Sequence, residues 1–408
     1  MKRNVLGIVL SLITLGVLTV AMAAAFGVLQ QGLSQAPAAA PTPSPLPKLA
    51  APITTTVPLA KPAPTPPEPT PEPGTPQPPP DKRIPIPPLP PPTPTPPQIV
   101  GPVATVNIPG KDFGKYSPNS RVIVSGRWGK GEGEYGLQLS GGRGGAPSFG
   151  LDEAENIYVL DSENERVHKY NPRGERLATY PVGPSHEISV ATDGSFYLLD
   201  AAKDFAVRAY SPDGKPEASY PIDKELANYP TGIIGLSAED GRVSVALGSG
   251  AHAVIKSEAG AVPPQAQAAS TLPGQPARPA GRFVWVRRFD DTSALVKVFR
   301  ADGTVERQIR VVLERRLASP YLVTDDSGNI YVCAYLFVEG GPPRHETLAS
   351  QMIVVVLAPD GRMVGKVEAP NINLTESWKP IVVSRKGGIY QRQASREAVA
   401  IVRWEMEQ

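Results

Sequence analysis

A repeated block of short apolar runs and tight turns restricts the fold of this chain more than any other feature. The clearest copy extends from Pro147 to Gly174, and looser copies begin at Ile188 and Ser319. Each copy holds four short segments with the alternation of β-strands, and the period is about forty residues. Four strands per repeat at this period are typical of a β-propeller, in which four-stranded sheets surround a central channel.

The turns set the register of the repeat. In five copies an alternating apolar run is followed by a tight turn that ends in glycine, and Asp-Gly or a similar pair supplies the positive φ that a hairpin needs. The glycines are Gly174, Gly214, Gly260, Gly303 and Gly361, at spacings of 40, 46, 43 and 58 residues. We interpret each as the turn between the third and fourth strands of a blade, which gives five blades.

The two ends of the repeat region predict a sixth blade. The last segment contains three strands, the third of which is Ala398–Trp404, and it lacks a fourth. Upstream, Arg121–Gly126 is an apolar run without a blade of its own. Pairing these two runs would close the ring and remove exposed strand edges.

The motifs around this closure resemble the NHL repeat. They are Gly126-Arg-Trp-Gly-Lys-Gly-Glu-Gly-Glu-Tyr135 and Asn156-Ile-Tyr-Val-Leu-Asp161. The resemblance is strong for residues 121–215, fair for 319–361 and weak for 230–312. It implies an all-β, six-bladed propeller, although the first strand of the fourth blade is not evident beside the proline-rich run Val262–Pro279, which leaves the blade count open by one. Relatives of this repeat include metal-dependent lyases, lactonases and hydrolases, and outward sensor domains of bacterial receptor kinases.

The N-terminus predicts a single-pass membrane protein. Residues 1–4 carry Lys2 and Arg3, and residues 5–29 are without a charge. About 20 apolar residues span a bilayer, and the preceding positive charges keep the N-terminus in the cytoplasm. A cleaved signal peptide is the alternative. Both interpretations export the propeller, which we expect over residues 103–408.

Residues 30–102 predict a disordered stalk between membrane and propeller. Most of the 49 prolines lie here, and proline removes backbone donors and favours extended polyproline II. A ligand for proline-recognition domains is a second interpretation of this composition.

Composition limits the classes of function. The net charge of +2 and the lack of a basic run flanked by aromatic residues argue against nucleic-acid binding. The single cysteine, Cys333, cannot form a disulfide within the chain and is expected in the core.

Catalytic and metal-binding patterns are weak, and we predict no catalytic residue, metal ligand or cofactor. Of the four histidines, only His186 is expected near the channel. The aspartates recur at equivalent blade positions, which indicates hydrogen bonding at turns and strand ends. They are Asp161 and Asp200 after the second strand, and Asp152, Asp193 and Asp325 in the first hairpin.

These observations favour a non-enzymatic binding, scaffold or sensor module at the cell membrane, with an extracytoplasmic protein or cell-envelope ligand as partner. An exported propeller enzyme, such as a metal-dependent lactonase, lyase or hydrolase, is the alternative. The longest connection between second and third strands is expected at Leu336–Ala349. Its residues Phe337, Arg344 and His345 combine an apolar centre with polar neighbours, and we predict that they bind the partner.

Overall fold

The structure is a computed structural model that describes residues 103–108, 114–138, 145–227, 232–239, 241–339, 347–375, 377 and 379–406. The predicted membrane segment (5–29) and stalk (30–102) lie outside the described residues. Within the described part of the chain, no helix is both long and apolar enough to cross a membrane.

The described residues form six separate β-sheets, which we number as blades I to VI. Two strands precede the first blade, and they are β1 (Val103–Asn107) and β2 (Ser120–Arg127). Blade I consists of β3 (Ser148–Leu151), β4 (Ile157–Asp161), β5 (Arg166–Tyr170) and β6 (Arg176–Pro181). Blade II consists of β7 (Glu187–Val190), β8 (Phe196–Asp200), β9 (Ala206–Tyr210) and β10 (Pro216–Pro221).

Blade III follows the short helix α1 (Lys224–Ala227) and contains a second one. Its elements are β11 (Ile233–Glu239), β12 (Arg242–Leu247), β13 (His252–Ser257), β14 (Gly260–Ala261), α2 (Pro264–Gln267) and β15 (Thr271–Leu272). Blade IV consists of β16 (Gln275–Ala277), β17 (Arg282–Arg288), β18 (Ser293–Arg300) and β19 (Val305–Val312).

The last two blades complete the ring. Blade V consists of β20 (Arg316–Thr324), β21 (Ile330–Glu339), β22 (Thr347–Leu357) and β23 (Met363–Pro370). Blade VI consists of β24 (Ile381–Val383), β25 (Ile389–Ala394) and β26 (Ala398–Trp404), together with β2 as its fourth strand.

The core lies between adjacent blades, because each sheet has apolar side chains on both faces. Leu199 of blade II and Val245 of blade III are fully buried in one shared cluster. Val159 of blade I and Ile401 of blade VI are buried in another. Burying the apolar surface of both faces stabilises the ring at about 25 cal/mol per Å². Each blade therefore depends on its neighbours for stability.

The predicted closure of the ring is confirmed. β2 pairs antiparallel with β26, with Arg121 opposite Arg403 and Gly126 opposite Val399. The outermost strand of blade VI thus comes from upstream of blade I, and the other three come from the end of the described chain.

β1 is a strand that the sequence did not predict. It adds to blade IV as a fifth strand, parallel to β19, with Val103 opposite Gln308. The chain then crosses the outside of blade V, where the Ser117 amide donates to the Glu368 carbonyl at 2.8 Å. We call residues 103–108 and 114–119 the strap, because they join the edges of blades IV, V and VI.

Blades III and IV depart from the regular repeat inside the proline-rich run. The outer edge of β13 pairs first with β14 and then with β15, so the fourth strand of blade III is interrupted by α2. The Gln267 side chain is fully buried and holds this insertion: it donates to the Pro221 carbonyl at 2.9 Å and accepts from the Asp223 amide at 2.9 Å. β16, the missing first strand of blade IV, is only three residues long and contains Pro276.

The predicted long loop of blade V is shorter than expected, which corrects its assignment to Leu336–Ala349. Leu336–Glu339 belongs to β21, and Thr347–Ala349 belongs to β22, where Phe337 lies opposite Ser350. Alternating apolar side chains extend this hairpin: Leu336 is buried and Phe337 is half-buried. Only residues 340–346 remain as a connection, and they lie outside the described residues.

Candidate functional site

The channel has two chemically distinct ends. Turns between first and second strands and between third and fourth strands lie at one end, which we call the turn end. Connections between second and third strands and between successive blades lie at the other, which we call the loop end. This arrangement follows from the antiparallel order of strands in each blade.

At the turn end, Arg385 links three blades. Its Nε donates to Asp326 Oδ1 of blade V at 2.9 Å, and its terminal nitrogen donates to Thr192 Oγ1 of blade II at 2.9 Å. The Arg385 carbonyl also accepts from the Asp326 amide at 2.9 Å. The Arg385 side chain therefore reaches from blade VI across the channel.

A second arginine continues this network on the opposite side. Arg278 of blade IV donates from Nε to Glu239 Oε2 of blade III at 3.0 Å, and its terminal nitrogen lies 2.5 Å from Glu239 Oε1. Its backbone amide donates to Thr324 Oγ1 of blade V at 2.9 Å. Arg278 Nε is 3.9 Å from Asp326 Oδ1, which joins the two arginines through one carboxylate. Together these contacts link five blades.

At the loop end, Lys379 crosses from blade VI to the opposite side of the ring. Its Nζ lies 3.0 Å from Glu187 Oε1 of blade II and donates to the Leu236 carbonyl of blade III at 2.6 Å. Glu187 is fully buried, whereas about a quarter of the Lys379 side chain is exposed. Neither oxygen of Glu187 has a well-aligned hydrogen bond in the described part of the chain. The ion pair is thus the principal compensation for a buried charge.

The electrostatics of this end follow from burial. Burial raises the pKa of Glu187, and the ammonium group of Lys379 opposes the shift only in part. Burial also lowers the pKa of His252 to about 3, with a smaller contribution from the charge of Lys379. His252 is therefore neutral at physiological pH, and its Nδ1 lies 3.2 Å from Ser244 Oγ.

Side chains of neighbouring blades form hydrogen bonds with backbone groups at the inner edges of several first strands. Ser148 Oγ accepts from the Ile188 amide at 3.3 Å, and Ser189 Oγ accepts from the Ala238 amide at 2.9 Å. The Tyr321 hydroxyl accepts from the Ile381 amide at 2.9 Å and donates to its carbonyl at 3.3 Å. These contacts place protein groups where a channel ligand would otherwise meet free backbone donors and acceptors.

Of the three predicted partner-binding residues, the structure describes only Phe337, which lies near the loop end. Phe337 is on β21, and its ring centroid is 6.4 Å from that of Tyr335. Arg344 and His345 lie outside the described residues. The partner role of all three remains a prediction.

The recurrent aspartates hold turns and strand ends. Asp161 accepts from the Gly136 amide at 2.9 Å, from Asn164 Nδ2 at 2.8 Å and from Arg166 Nε at 2.9 Å. Asp325 accepts from the Asn329 amide at 2.9 Å and from the Tyr331 hydroxyl at 2.8 Å. The corresponding contacts recur at Asp152, Asp193 and Asp200. Their predicted structural role is confirmed.

The described histidines do not converge. His168 is in the third strand of blade I and contacts Thr179 Oγ1 at 2.9 Å, while His186 directly precedes β7. Among the described residues, no group of three or more His, Cys, Asp or Glu side chains is placed to hold a metal ion. Cys333 is buried, and burial raises the pKa of its thiol to about 12.

The sequence did not single out Lys379, Glu187, Arg278 or Arg385. Glu187 offered one signal, because it is a charged residue at the start of the apolar strand Ile188–Val190. The other three lie in connections, where a charged residue is unremarkable in a sequence. Only the ring geometry brings them together.

Comparison with known proteins gives only distant structural similarity and no family. No protein-family model matches the chain, and no curated protein sequence matches it significantly. Among solved structures, BamB from Moraxella catarrhalis aligns with a TM-score of 0.32 and 10% identity, over 70% of this chain and 100% of that one. Virginiamycin B lyase from Staphylococcus aureus aligns with a TM-score of 0.35 and 9% identity, over 64% and 94%. A streptogramin B lyase structure aligns with a TM-score of 0.37 and 10% identity, over 66% of this chain and 96% of that one. The six blades are established by the sheets of this chain itself.

Proposed function

We propose that this chain is a membrane-anchored, extracytoplasmic β-propeller of the NHL type that binds a protein or cell-envelope ligand without catalysis. The proposal rests on the ion pairs at the two ends of the channel. At the turn end Arg385 and Arg278 are paired with carboxylates of other blades, and at the loop end Lys379 is paired with Glu187. Charged groups that could act on a substrate are thereby engaged with each other, so recognition would use the outer surface.

The N-terminal sequence supports the location. Residues 5–29 are apolar and follow two positive charges, and residues 30–102 provide a proline-rich spacer. A spacer of this length would hold the propeller away from the bilayer, where it could reach a partner in the envelope.

The loop end is the surface that we assign to the partner. Loops on a rigid scaffold tolerate variation and commonly carry recognition. The strands of the hairpin β21–β22, with ten and eleven residues, are the longest in the described part of the chain. Phe337 is half-buried near the end of β21, and Arg344 and His345 follow it in the sequence.

The proposal is tested by exchanging that segment. Residues 340–346 are replaced by a short Gly-Ser turn in the full chain, and partners are captured from membranes after crosslinking. We expect the melting temperature to remain and a specific partner to be lost. A matched replacement of the turn Ser211–Gly214, at the turn end of blade II, should leave capture unchanged. Equal recovery of the same partner with both variants would place binding elsewhere.

The second candidate function is an exported propeller enzyme, and Glu187 is the observation in its favour. A buried carboxyl group with a raised pKa is a candidate general acid or base, and Lys379 beside it is partly accessible. Hydrolysis of a panel of chromogenic esters and lactones, compared between the native chain and Glu187→Gln, tests this candidate. Turnover that is lost in the variant would support the enzyme and displace the first proposal.

A further inference from the structure

Two arginines lie directly opposite each other at the seam where the ring closes. Arg121 on β2 pairs with Arg403 on β26, and Arg403 pairs in turn with Tyr390 on β25. Residues that are directly opposite in antiparallel strands point to the same face, with Cβ atoms about 5 Å apart. The Arg403 guanidinium lies 5.6 Å from the centroid of the Tyr390 ring. The three side chains therefore form a row on one face of blade VI.

This row carries two positive charges without a neutralising partner. Among the described residues, no carboxylate forms an ion pair with Arg121 or Arg403, and neither side chain donates a hydrogen bond. Like charges directly opposite each other on paired strands are destabilising. Several other arginines of this fold are compensated by a carboxylate, such as Arg166 by Asp161 and Arg310 by Asp290.

Blade I forms the other side of the seam. Gly174, at positive φ in its turn, packs so closely on β2 that an added Cβ would lie 1.9 Å from the Ile123 carbonyl oxygen. Arg173 and Glu175 of the same turn are paired with each other at 2.9 Å. Glu155 approaches the inner end of the row: burial and this carboxylate raise the pKa of Tyr390. One carboxylate near the row leaves an excess of positive charge.

The wider surroundings keep that excess. Residues 120–127 and 381–405 contain seven Lys and Arg residues and two acidic residues, Glu397 and Glu405. Because Arg385 is paired with Asp326 and Arg392 is fully buried, five of these positive charges remain against two negative ones. Arg121 is exposed and Arg403 is half-buried, so both can be reached from solvent.

We propose that Arg121 and Arg403 form a binding site for a phosphate group. A tetrahedral oxyanion with up to two negative charges can accept hydrogen bonds from both guanidinium groups at once, and paired Arg–phosphate contacts are strong and directional. The bound phosphate would remove the repulsion between the two arginines. It would also join β2 to β26 and so reinforce the ring at its closure. This site lies at the seam, apart from the loop-end surface assigned to the protein partner.

The phosphate could be free inorganic phosphate or a phosphodiester of a lipid headgroup. Two probes separate these sources in calorimetric titrations of the full chain in non-ionic detergent. Inorganic phosphate represents the first, and dihexanoyl phosphatidylglycerol below its micellar concentration represents the second. Dihexanoyl phosphatidylcholine, whose phosphate is compensated by choline, is the reference for lipid contact without net charge.

Three single variants test the site. Arg121→Gln and Arg403→Gln should each weaken binding of at least one probe about tenfold, because each removes a charge-assisted contact. Arg127→Gln is the matched control: it removes the same charge from the same strand, at the far end of β2 opposite Ala398. It should keep the native affinity. Binding of inorganic phosphate alone would assign the site to the free ion, and selective binding of the glycerol lipid would assign it to the headgroup.

Thermal unfolding tests the site independently of whether its phosphate group is a free ion or part of a lipid headgroup. At matched ionic strength, phosphate should raise the unfolding temperature of the native chain above its value in chloride, because a ligand that binds only the folded state stabilises it. This difference should vanish in Arg121→Gln and persist in Arg127→Gln. In chloride, Arg121→Gln should be at least as stable as the native chain, because the like-charge contact is gone. Equal phosphate effects in all variants, or none in the native chain, would overturn the proposal.

Discussion

The buried aspartate at the end of the second strand shows how one residue organises a blade. Asp161 is fully buried and accepts hydrogen bonds from Gly136, Asn164 and Arg166, which join the glycine-rich connection to blade I. Although burial opposes ionisation, hydrogen bonds from these groups and the nearby His168 keep the pKa of Asp161 below its ordinary value of 3.8. The folded state therefore favours the charged form.

Replacing this aspartate should destabilise the fold in a pH-dependent manner. We expect Asp161→Ala to reduce the free energy of unfolding by about 3 kcal/mol at pH 7, because Arg166 loses its buried partner. A group with a lowered folded pKa contributes stability above its unfolded pKa and loses it as pH falls through the folded value. The deficit should therefore persist down to about pH 4 and shrink below it. Urea unfolding followed by tryptophan fluorescence measures both, and the exposed-turn variant Asp213→Asn should leave the stability close to that of the native chain.

The Lys379–Glu187 pair leads to a prediction with the opposite pH dependence. Lys379→Met leaves the buried carboxylate uncompensated and should cost about 3–5 kcal/mol at pH 7. Because the folded pKa of Glu187 is already raised, its stabilising contribution is complete below the ordinary value of 4.5 and is lost as pH rises through the folded value. The defect should therefore disappear at low pH. The double variant Glu187→Gln/Lys379→Met should recover most of the loss, and a double-mutant cycle without coupling would contradict the pairing.

Among the elements, β2 determines whether the ring is closed. A chain truncated after Val399 loses most of β26, so β2 has no partner and the inner strands of blade VI lose their outer neighbour. Because the core lies between blades, opening one seam exposes apolar surface on blades I and VI together. We expect loss of the cooperative thermal transition in circular dichroism.

A chain that ends at Met406 is the control for this truncation. It retains all of β26 and should melt as the native chain does. An unchanged cooperative melt after truncation at Val399 would show that β26 is dispensable for closure.

We expect the strap to stabilise the fold through one buried residue more than through the pairing of β1. β1 is partly exposed along its length, whereas Ile108, directly after it, is 1% exposed within the cluster shared by blades IV and V. Ile108→Ala should therefore cost about 2–4 kcal/mol, in the range for large-to-small changes in cores. Val103→Ala, at the half-buried start of β1, should cost less than about 1 kcal/mol. Similar losses for both variants in denaturant unfolding would mean that pairing with β19 is what holds the strap.

The sequence predicted the blades that follow the regular repeat. It did not reveal the strands and contacts that depart from that repeat. Blades I, II and V were predicted because turns that end in glycine and period-two runs agree with the fold. β16 was hidden because it is three residues long and lies among prolines, where a first strand is permitted only at a sheet edge. β1 was missed because its five residues follow the proline-rich region and belong to a blade two hundred residues downstream. The Lys379–Glu187 contact could not be predicted either, because only the closed ring brings Lys379 of blade VI to Glu187 of blade II.

At the scale of the whole molecule, three separate sets of contacts close the ring. β2 pairs with β26 at the outside, Lys379 and Arg385 extend from blade VI across the channel, and the strap joins three outer edges. Each device brings together residues that are distant in sequence, so the propeller should unfold as one unit. A partner or a phosphate group bound at the outside would then act on a rigid body.

This architecture predicts the product of proteolysis on intact cells. If the chain is anchored by residues 5–29 with its C-terminus outside, added protease should cut within residues 30–102, because their proline-rich composition predicts an accessible chain. The strap is hydrogen-bonded to blades IV and V, so the resistant fragment should begin before Val103 and retain β1. Mass spectrometry of the released fragment locates its start, and a cytoplasmic marker protein that stays intact confirms that the cells are closed. Complete protection of the propeller would reject the orientation, and a fragment that begins near Ser120 would reject the strap as part of the folded domain.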